Sequence, residues 1–320
     1  MRAVLNKFLT ERVIVMKKIL LFGMLFLGTA TLFAQEAEEA EEVDENGWHK
    51  EGAISLMFNQ AAFNNSCTGV GTTNYDTNLK FNYDFNYRYN NLTVDNRIVS
   101  DYGLTKNRGE EYKRKTNDRI ELNSIVGTKV SDTNWYYSFF LNFKTQFADG
   151  YDYKKENDVL IRTRKTDFFS PAYLQFGPGM LWKKSDNFKI NISPFAARIT
   201  FVNKDFTRVE NDPDAIAAFN DKKYFGVEAN ETTNFELGAS VSGYAKFDLV
   251  KNVNVENILA LYSDYLEKPQ NINIDYTLNI NMKINDYMSA GLTFQAVYDE
   301  NAVSAIQIRE TIGIGFNYSL

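Results

Sequence analysis

From Thr73 to Arg88 the chain alternates residue by residue. Thr73, Tyr75, Thr77, Leu79, Phe81, Tyr83, Phe85 and Tyr87 fall on one side, and Asn74, Asp76, Asn78, Lys80, Asn82, Asp84, Asn86 and Arg88 on the other. Such a period of two is the signature of a strand with one apolar and one polar face. It returns with Ile272, Ile274, Tyr276, Leu278, Ile280, Met282 and Ile284 against an Asn-rich set. At the end of the chain Ile312, Ile314, Phe316, Tyr318 and Leu320 oppose Thr311, Gly313, Gly315, Asn317 and Ser319. Weaker copies begin near Ile54, Leu92, Ile120, Trp135, Ala172, Phe188, Phe235, Val253 and Met288, which brings the total to about 12 strands. Pro194 interrupts one copy and shifts its apolar set, as a bulge would.

Alternation does not say which face meets what. A soluble barrel hides its apolar face, whereas an outer-membrane barrel turns it to lipid. Three features favour lipid. Several strands reach the roughly 9–11 residues a bilayer crossing requires. Tight turns at 89–91, 131–134, 183–187, 250–252 and 285–287 alternate with longer connections at 61–71, 103–116, 148–170, 203–231, 263–271 and 299–304. Aromatics gather at the tight turns: Tyr87, Tyr89, Trp135, Trp182, Tyr287 and Tyr318, matching a girdle at the headgroup level. The expected fold is all-β, a closed antiparallel transmembrane β-barrel of about 12 strands over 47–320. Both termini then fall on the periplasmic side and the longer loops face outward.

Met16-Lys17-Lys18, the apolar run to Leu32 and the small residue Ala34 read as a signal peptide over 16–34. Residues 1–15 are then either an extended n-region or a stretch ahead of a true start at Met16. Seven acids crowd Glu36 to Glu45, so 35–46 reads as an acidic, disordered linker. The formal net charge is −6, and the first 34 residues hold five basic groups against one acid. With the linker set aside the remainder is nearly balanced, and no overall field attracts nucleic acid. Export to the outer membrane makes lipid the first partner, and the C-terminal strand is expected to engage the barrel-assembly machinery.

Chemistry is sparse. One Cys excludes disulfides and Cys-rich metal centres, and one His weighs against triads and His clusters. His49 precedes the first strand and reads as a solvated side chain, and Cys67 in the first long loop as an inert thiol. Gly177-Pro178-Gly179 and Gly313-x-Gly315 lack the Lys-Ser or Lys-Thr of a phosphate loop and read as close strand packing. Asp212-Pro213-Asp214 reads as the start of a short helix, Pro213 to Phe219, rather than a calcium site. No catalytic residue, metal or cofactor is expected, and no enzyme.

The informative set is the inward row: Lys80, Arg88, Arg97, Arg119, Glu121, Lys144, Glu236, Lys246 and Arg309. At about 12 strands the interior lies between the eight-strand size that side chains fill and the 16-strand size that conducts freely. The expected function is a narrow pore or transporter for small polar solutes. One alternative is a lumen plugged by its own Arg and Glu, with function in loops 148–170 and 203–231; another is an outer-membrane enzyme without His. Glu310 near the outer end of the last strand, and Asn257 mid-strand, sit on the apolar side. Asn257 suggests a protein contact there.

The segment Phe58-Asn59-Gln60-Ala61-Ala62-Phe63-Asn64-Asn65-Ser66-Cys67-Thr68-Gly69-Val70-Gly71, after Gly47-Trp48, resembles the opening of a Bacteroidetes outer-membrane family catalogued as a domain of unknown function. In that family a Trp is expected where Ser66 stands and a Gly where Val70 stands. The resemblance implies a β-barrel in the outer membrane over 48–320 and implies no activity.

Overall fold

The computed structural model describes residues 46–61, 74–156 and 159–320. The signal peptide, the stretch before it, nearly all of the acidic linker, Cys67 and most of the Phe58–Gly71 segment lie outside these. Fourteen strands follow one another: β1 Gly47–Ala61, β2 Asn74–Tyr89, β3 Leu92–Asn107, β4 Arg114–Lys129, β5 Trp135–Thr145, β6 Gly150–Glu156, β7 Val159–Thr166, β8 Ala172–Ser185, β9 Phe188–Phe201, β10 Thr233–Val250, β11 Val253–Asp264, β12 Ile272–Lys283, β13 Met288–Asp299 and β14 Val303–Ser319. Between β9 and β10 lies one α-helix, α1, Pro213–Asn220. Twelve of the strands close a barrel in the order β1-β14-β13-β12-β11-β10-β9-β8-β5-β4-β3-β2, while β6 and β7 form a separate two-stranded sheet. Closure runs from Ala53↔Ser319 to Phe58↔Ile314. Barrel strands span from 11 residues in β5 to 18 in β10, long enough to cross a bilayer with tilt.

The register fixes the faces. Lys80 lies opposite Asp101, and Asp101 opposite Arg119, so the three share one side of the sheet. Their neighbours Leu79, Ile308, Ile312, Ile314 and Phe316 lie on the other side and are exposed, whereas Asp95, Asp101, Asn191, Arg198, Glu236 and Glu256 are buried. Apolar side chains point away from the axis and polar ones toward it, as in a barrel with lipid for its outer solvent.

Tight turns gather on one rim, where β1 begins and β14 ends. The β2–β3 connection is Asn90-Asn91, with Asn90 at φ 50°, a left-handed conformation that Asn tolerates and a two-residue hairpin uses. The bulge expected at Pro194 is present: Gly238 pairs with Ala196 but Ser240 with Ser193. Gly177 and Gly179 lie beneath it. A Cβ on Gly177 would stand 2.2 Å from the Phe195 carbonyl oxygen and one on Gly179 2.6 Å from that of Ile192. Close strand approach accounts for this Gly-Pro-Gly run. Lys183, read from sequence as part of a turn, instead ends β8 as an inward residue, because β8 keeps its ladder to Ser185.

The connection 148–170 is not simple loop. Most of it is the β6–β7 hairpin, paired from Gly150↔Thr166 to Glu156↔Val159. In the 203–231 connection Asp212 caps α1 by accepting from the Ala215 amide at 3.0 Å, as Asp does at a helix start.

Candidate functional site in the barrel lumen

Near the tight-turn rim, Asp95 is buried and takes three cations: Arg88 at 2.7 Å, Lys183 at 3.1 Å and Lys189 at 2.8 Å. Asp186, in the β8–β9 turn, joins the group through Lys183 at 2.5 Å and through Arg88. Burial alone would push the Asp186 carboxyl up, but Lys183, aided by Arg88, holds it below the ordinary aspartate range. Farther in, the Arg97 guanidinium meets the Glu256 carboxylate at 2.6 Å. Glu256 also accepts from the Tyr244 hydroxyl at 3.0 Å and the Asn279 amide at 2.8 Å. β3 and β11 stand six places apart around the ring in either direction. That pair therefore crosses the full lumen.

Other braces repeat this pattern. Lys144 on β5 reaches Asp275 on β12 at 2.7 Å, and the Gln295 amide donates to the same carboxylate at 2.9 Å. Lys80 donates to the Thr293 hydroxyl at 2.7 Å and Arg309 on β14 reaches the Thr116 carbonyl on β4 at 3.5 Å, whereas Arg119 pairs along its own strand with Glu121 at 2.9 Å. Toward the long-loop rim, Arg198 holds Asp299 at 2.7 Å and Glu236 at 3.4 Å, with its guanidinium over the Tyr173 ring. Lys246 pairs more loosely with Glu51, at 3.4 Å. All nine inward charges picked from sequence thus lie on the lumen side, and each contacts a partner there.

Sequence reasoning missed several members. Asp95, Lys183, Asp186, Lys189, Arg198, Glu256, Asp275 and Asp299 were not among the nine, yet they take part in most of the ionic contacts. The period of two placed Asp95 on the same face as Arg97, a usable signal. Nothing local pairs Glu256 with Arg97, because that contact depends on ring order. An apolar layer was also missed. Phe140 on β5, Ala196 on β9 and Tyr262 on β11 are buried together with Ile125 beside them, and all four are inward by register. Their strands carry apolar side chains on both faces, as in Phe139-Phe140-Leu141 on β5 and Ile258-Leu259-Ala260-Leu261 on β11, so alternation fades there.

Alongside these layers the lumen retains a cavity of about 750 Å³, lined in part by Arg97, Lys144, Phe140 and Tyr262 themselves. Its lining includes His49, Asn187 and Lys246 at the tight-turn rim and Thr166, Phe225 and Ala302 at the other. Among the described residues no three His, Cys, Asp or Glu side chains are placed to hold a metal ion. Outside the barrel, Tyr89, Trp135, Tyr287 and Tyr318 are exposed at the tight-turn rim, Tyr87 packs on Trp48 at 5.2 Å, and Trp182 meets Phe188 edge-on at 5.6 Å. Asn257, on the apolar side, accepts from the Tyr276 hydroxyl at 2.9 Å. A neighbouring strand satisfies its carbonyl, while its side-chain amide nitrogen has no hydrogen-bond partner among the described residues.

Fold and lumen define a closed antiparallel 12-stranded β-barrel with a polar, ion-braced interior. A family model described as "Protein of unknown function (DUF3078)" matches residues 58–151, well under half of the chain, and its match begins at the Phe58 segment. No curated protein matches the sequence. Among solved structures, the translocator domain of autotransporter NalP from Neisseria meningitidis is 7% identical, with 91% of this chain and 95% of that chain covered and a TM-score of 0.37. An outer membrane channel from Pseudomonas putida F1 is 8% identical, with coverages of 88% and 99% and a TM-score of 0.37. Outer membrane phospholipase A from Escherichia coli is 9% identical, with coverages of 88% and 94% and a TM-score of 0.34. The resemblance is one of general barrel form.

Proposed function

We propose that the protein resides in the outer membrane as a non-catalytic barrel whose lumen is closed to free solute flow, and that it acts through the longer loops on the rim opposite the tight turns. The carrying observation is the Arg97–Glu256 pair between diametrically opposite strands. A buried pair that bridges a lumen fills it and braces the wall, and removing one partner leaves an uncompensated charge. The Phe140–Ala196–Tyr262 layer adds an apolar step in the same passage, where a polar solute finds few groups to replace its hydration. A signal peptide over 16–34 and engagement of the barrel-assembly machinery by β14 belong to this reading.

The test is conductance. Purified full-length protein in planar bilayers and in solute-loaded liposomes is expected to give no steady current and no swelling with small sugars or amino acids. Steady current from the unmodified protein would overturn the closed reading. A narrow passage for small polar solutes would then take its place, a second reading favoured by the cavity that reaches residues of both rims.

A further inference from the structure

The basic side chains are not spread evenly over the chain. Segments 106–115 and 150–166 carry ten Lys and Arg against five Asp and Glu, within a chain of formal charge −6. The structure brings these segments together. Tyr112, in the β3–β4 connection, faces Tyr153 of β6 with ring centroids 6.3 Å apart, and Tyr153 lies 6.5 Å from Tyr151. Arg114 lies over the Tyr153 ring at 4.8 Å. Arg162 of β7 lies over two rings, Tyr112 at 4.5 Å and Tyr151 at 4.7 Å. The result is a row of phenol rings interleaved with guanidinium groups, shared between the β3–β4 connection and a hairpin that stands outside the barrel sheet.

Within this row Arg162 is distinct. Arg114 has Glu110 at 2.9 Å, Lys115 has Asp118 at 2.8 Å and Arg164 has Asp167 at 3.5 Å. Arg162 is exposed and has no ion-pair partner among the described residues. Two aromatic contacts order its plane, so part of the side-chain entropy that binding would cost is already lost in the free protein. Its N–H edge remains available for an oxyanion, and a guanidinium presents that edge as a two-pronged donor.

We propose that this loop surface binds an anionic polysaccharide, with Arg162 as the central anchor. The inference deepens the loop-based function above and rests on it. The local excess of positive charge supplies complementarity to a chain of acid groups. Arg162 takes a carboxylate, and the flat faces and hydroxyl edges of the Tyr112–Tyr153–Tyr151 row suit the C–H faces and hydroxyls of pyranose rings. An acyl-anchored headgroup fits less well, because the row lies between the β3–β4 connection and the β6–β7 hairpin, at the loop end of the barrel and not along the wall that lipid surrounds.

The test uses the full-length protein in detergent, with polygalacturonate as the acidic chain and dextran as the neutral one. Binding to polygalacturonate that weakens with salt, and none to dextran, is expected. Arg162→Ala should weaken it by about tenfold, the scale of a central anchor, and Arg162→Lys should also weaken it, because an ammonium cannot spread over two rings. Wild-type thermal unfolding of both variants keeps a folding defect from mimicking the result. The proposal is overturned by absent binding, by wild-type affinity in Arg162→Ala, or by equal binding to oligothymidylate or phosphatidylglycerol vesicles. A conducting barrel that still binds would sink only the closed-lumen reading. A closed barrel that does not bind would sink only this one.

Discussion

Arg97 inside the barrel and Arg162 on the loop hairpin both lie against tyrosine rings, yet only Arg97 is given a carboxylate. Arg97 stands over Tyr244 at 5.2 Å and meets Glu256 at 2.6 Å, with 17% of its side chain accessible. Arg162 has rings alone and faces solvent. Solvent accounts for the difference. Inside the wall an unneutralised charge would cost several kcal/mol, so strand order brings a partner from the opposite side. In water the same charge is screened, and a surface ion pair would contribute only about 0–1 kcal/mol. The lumen therefore closes its own charges, and the loop can leave one for something else.

The largest effect should come from breaking the internal pair. Glu256→Gln leaves Arg97 with only the loose Asp84 contact at 3.9 Å and is expected to lower unfolding stability by about 3 kcal/mol, read by urea titration of the barrel in vesicles. The double change Arg97→Met with Glu256→Met should recover most of that loss, since matched apolar side chains leave no orphan charge. If Glu256→Gln unfolds like the wild type, the lumen is wet enough to screen the pair, and the contrast with Arg162 fails.

What could be read beforehand follows from the same physics. Two-residue periodicity is a local property, and it placed Phe81, Ile280 and Phe316 on the outer side and Asn82, Asn279 and Asn317 on the inner. Closure into 12 strands was legible because long alternating runs with apolar faces need lipid outside and no open edge. Contacts across the lumen were not legible, since Glu256 and Arg97 are 159 positions apart and meet only through ring order and strand stagger. Phe140 and Tyr262 escaped because their strands are apolar on both faces. The β6–β7 hairpin escaped because strands of seven and eight residues in a charged stretch resemble loop. The Arg162 site was lost with it: a near-zero balance over the mature barrel hid a local excess that folding concentrates.

A smaller effect tests the two walls directly. Ile312 lies outward on β14 with 59% of its surface accessible, so Ile312→Arg should cost about 2–4 kcal/mol, the penalty for a cation on the lipid face near mid-membrane. Asn281, inward on β12 and exposed to the lumen, should accept Lys within about 1 kcal/mol. Equal penalties, read as urea midpoints in the same vesicles, would mean the outer face does not meet acyl chains.

Asp186 stands between the two regimes, tied to the lumen floor through Lys183 and Arg88 but half exposed at the turn. Its carboxyl is held below the ordinary aspartate range, so its contribution is complete above that range and is lost as pH falls through the depressed folded value. Solvent screening keeps that contribution under about 1 kcal/mol. Asp186→Asn should therefore reduce stability slightly at neutral pH and converge with the wild type in acid, measured by urea midpoints across a pH series. Unchanged separation at low pH would mean that Asp186 acts by packing alone. The charge rule would then stop at the floor of the lumen and not extend to its rim.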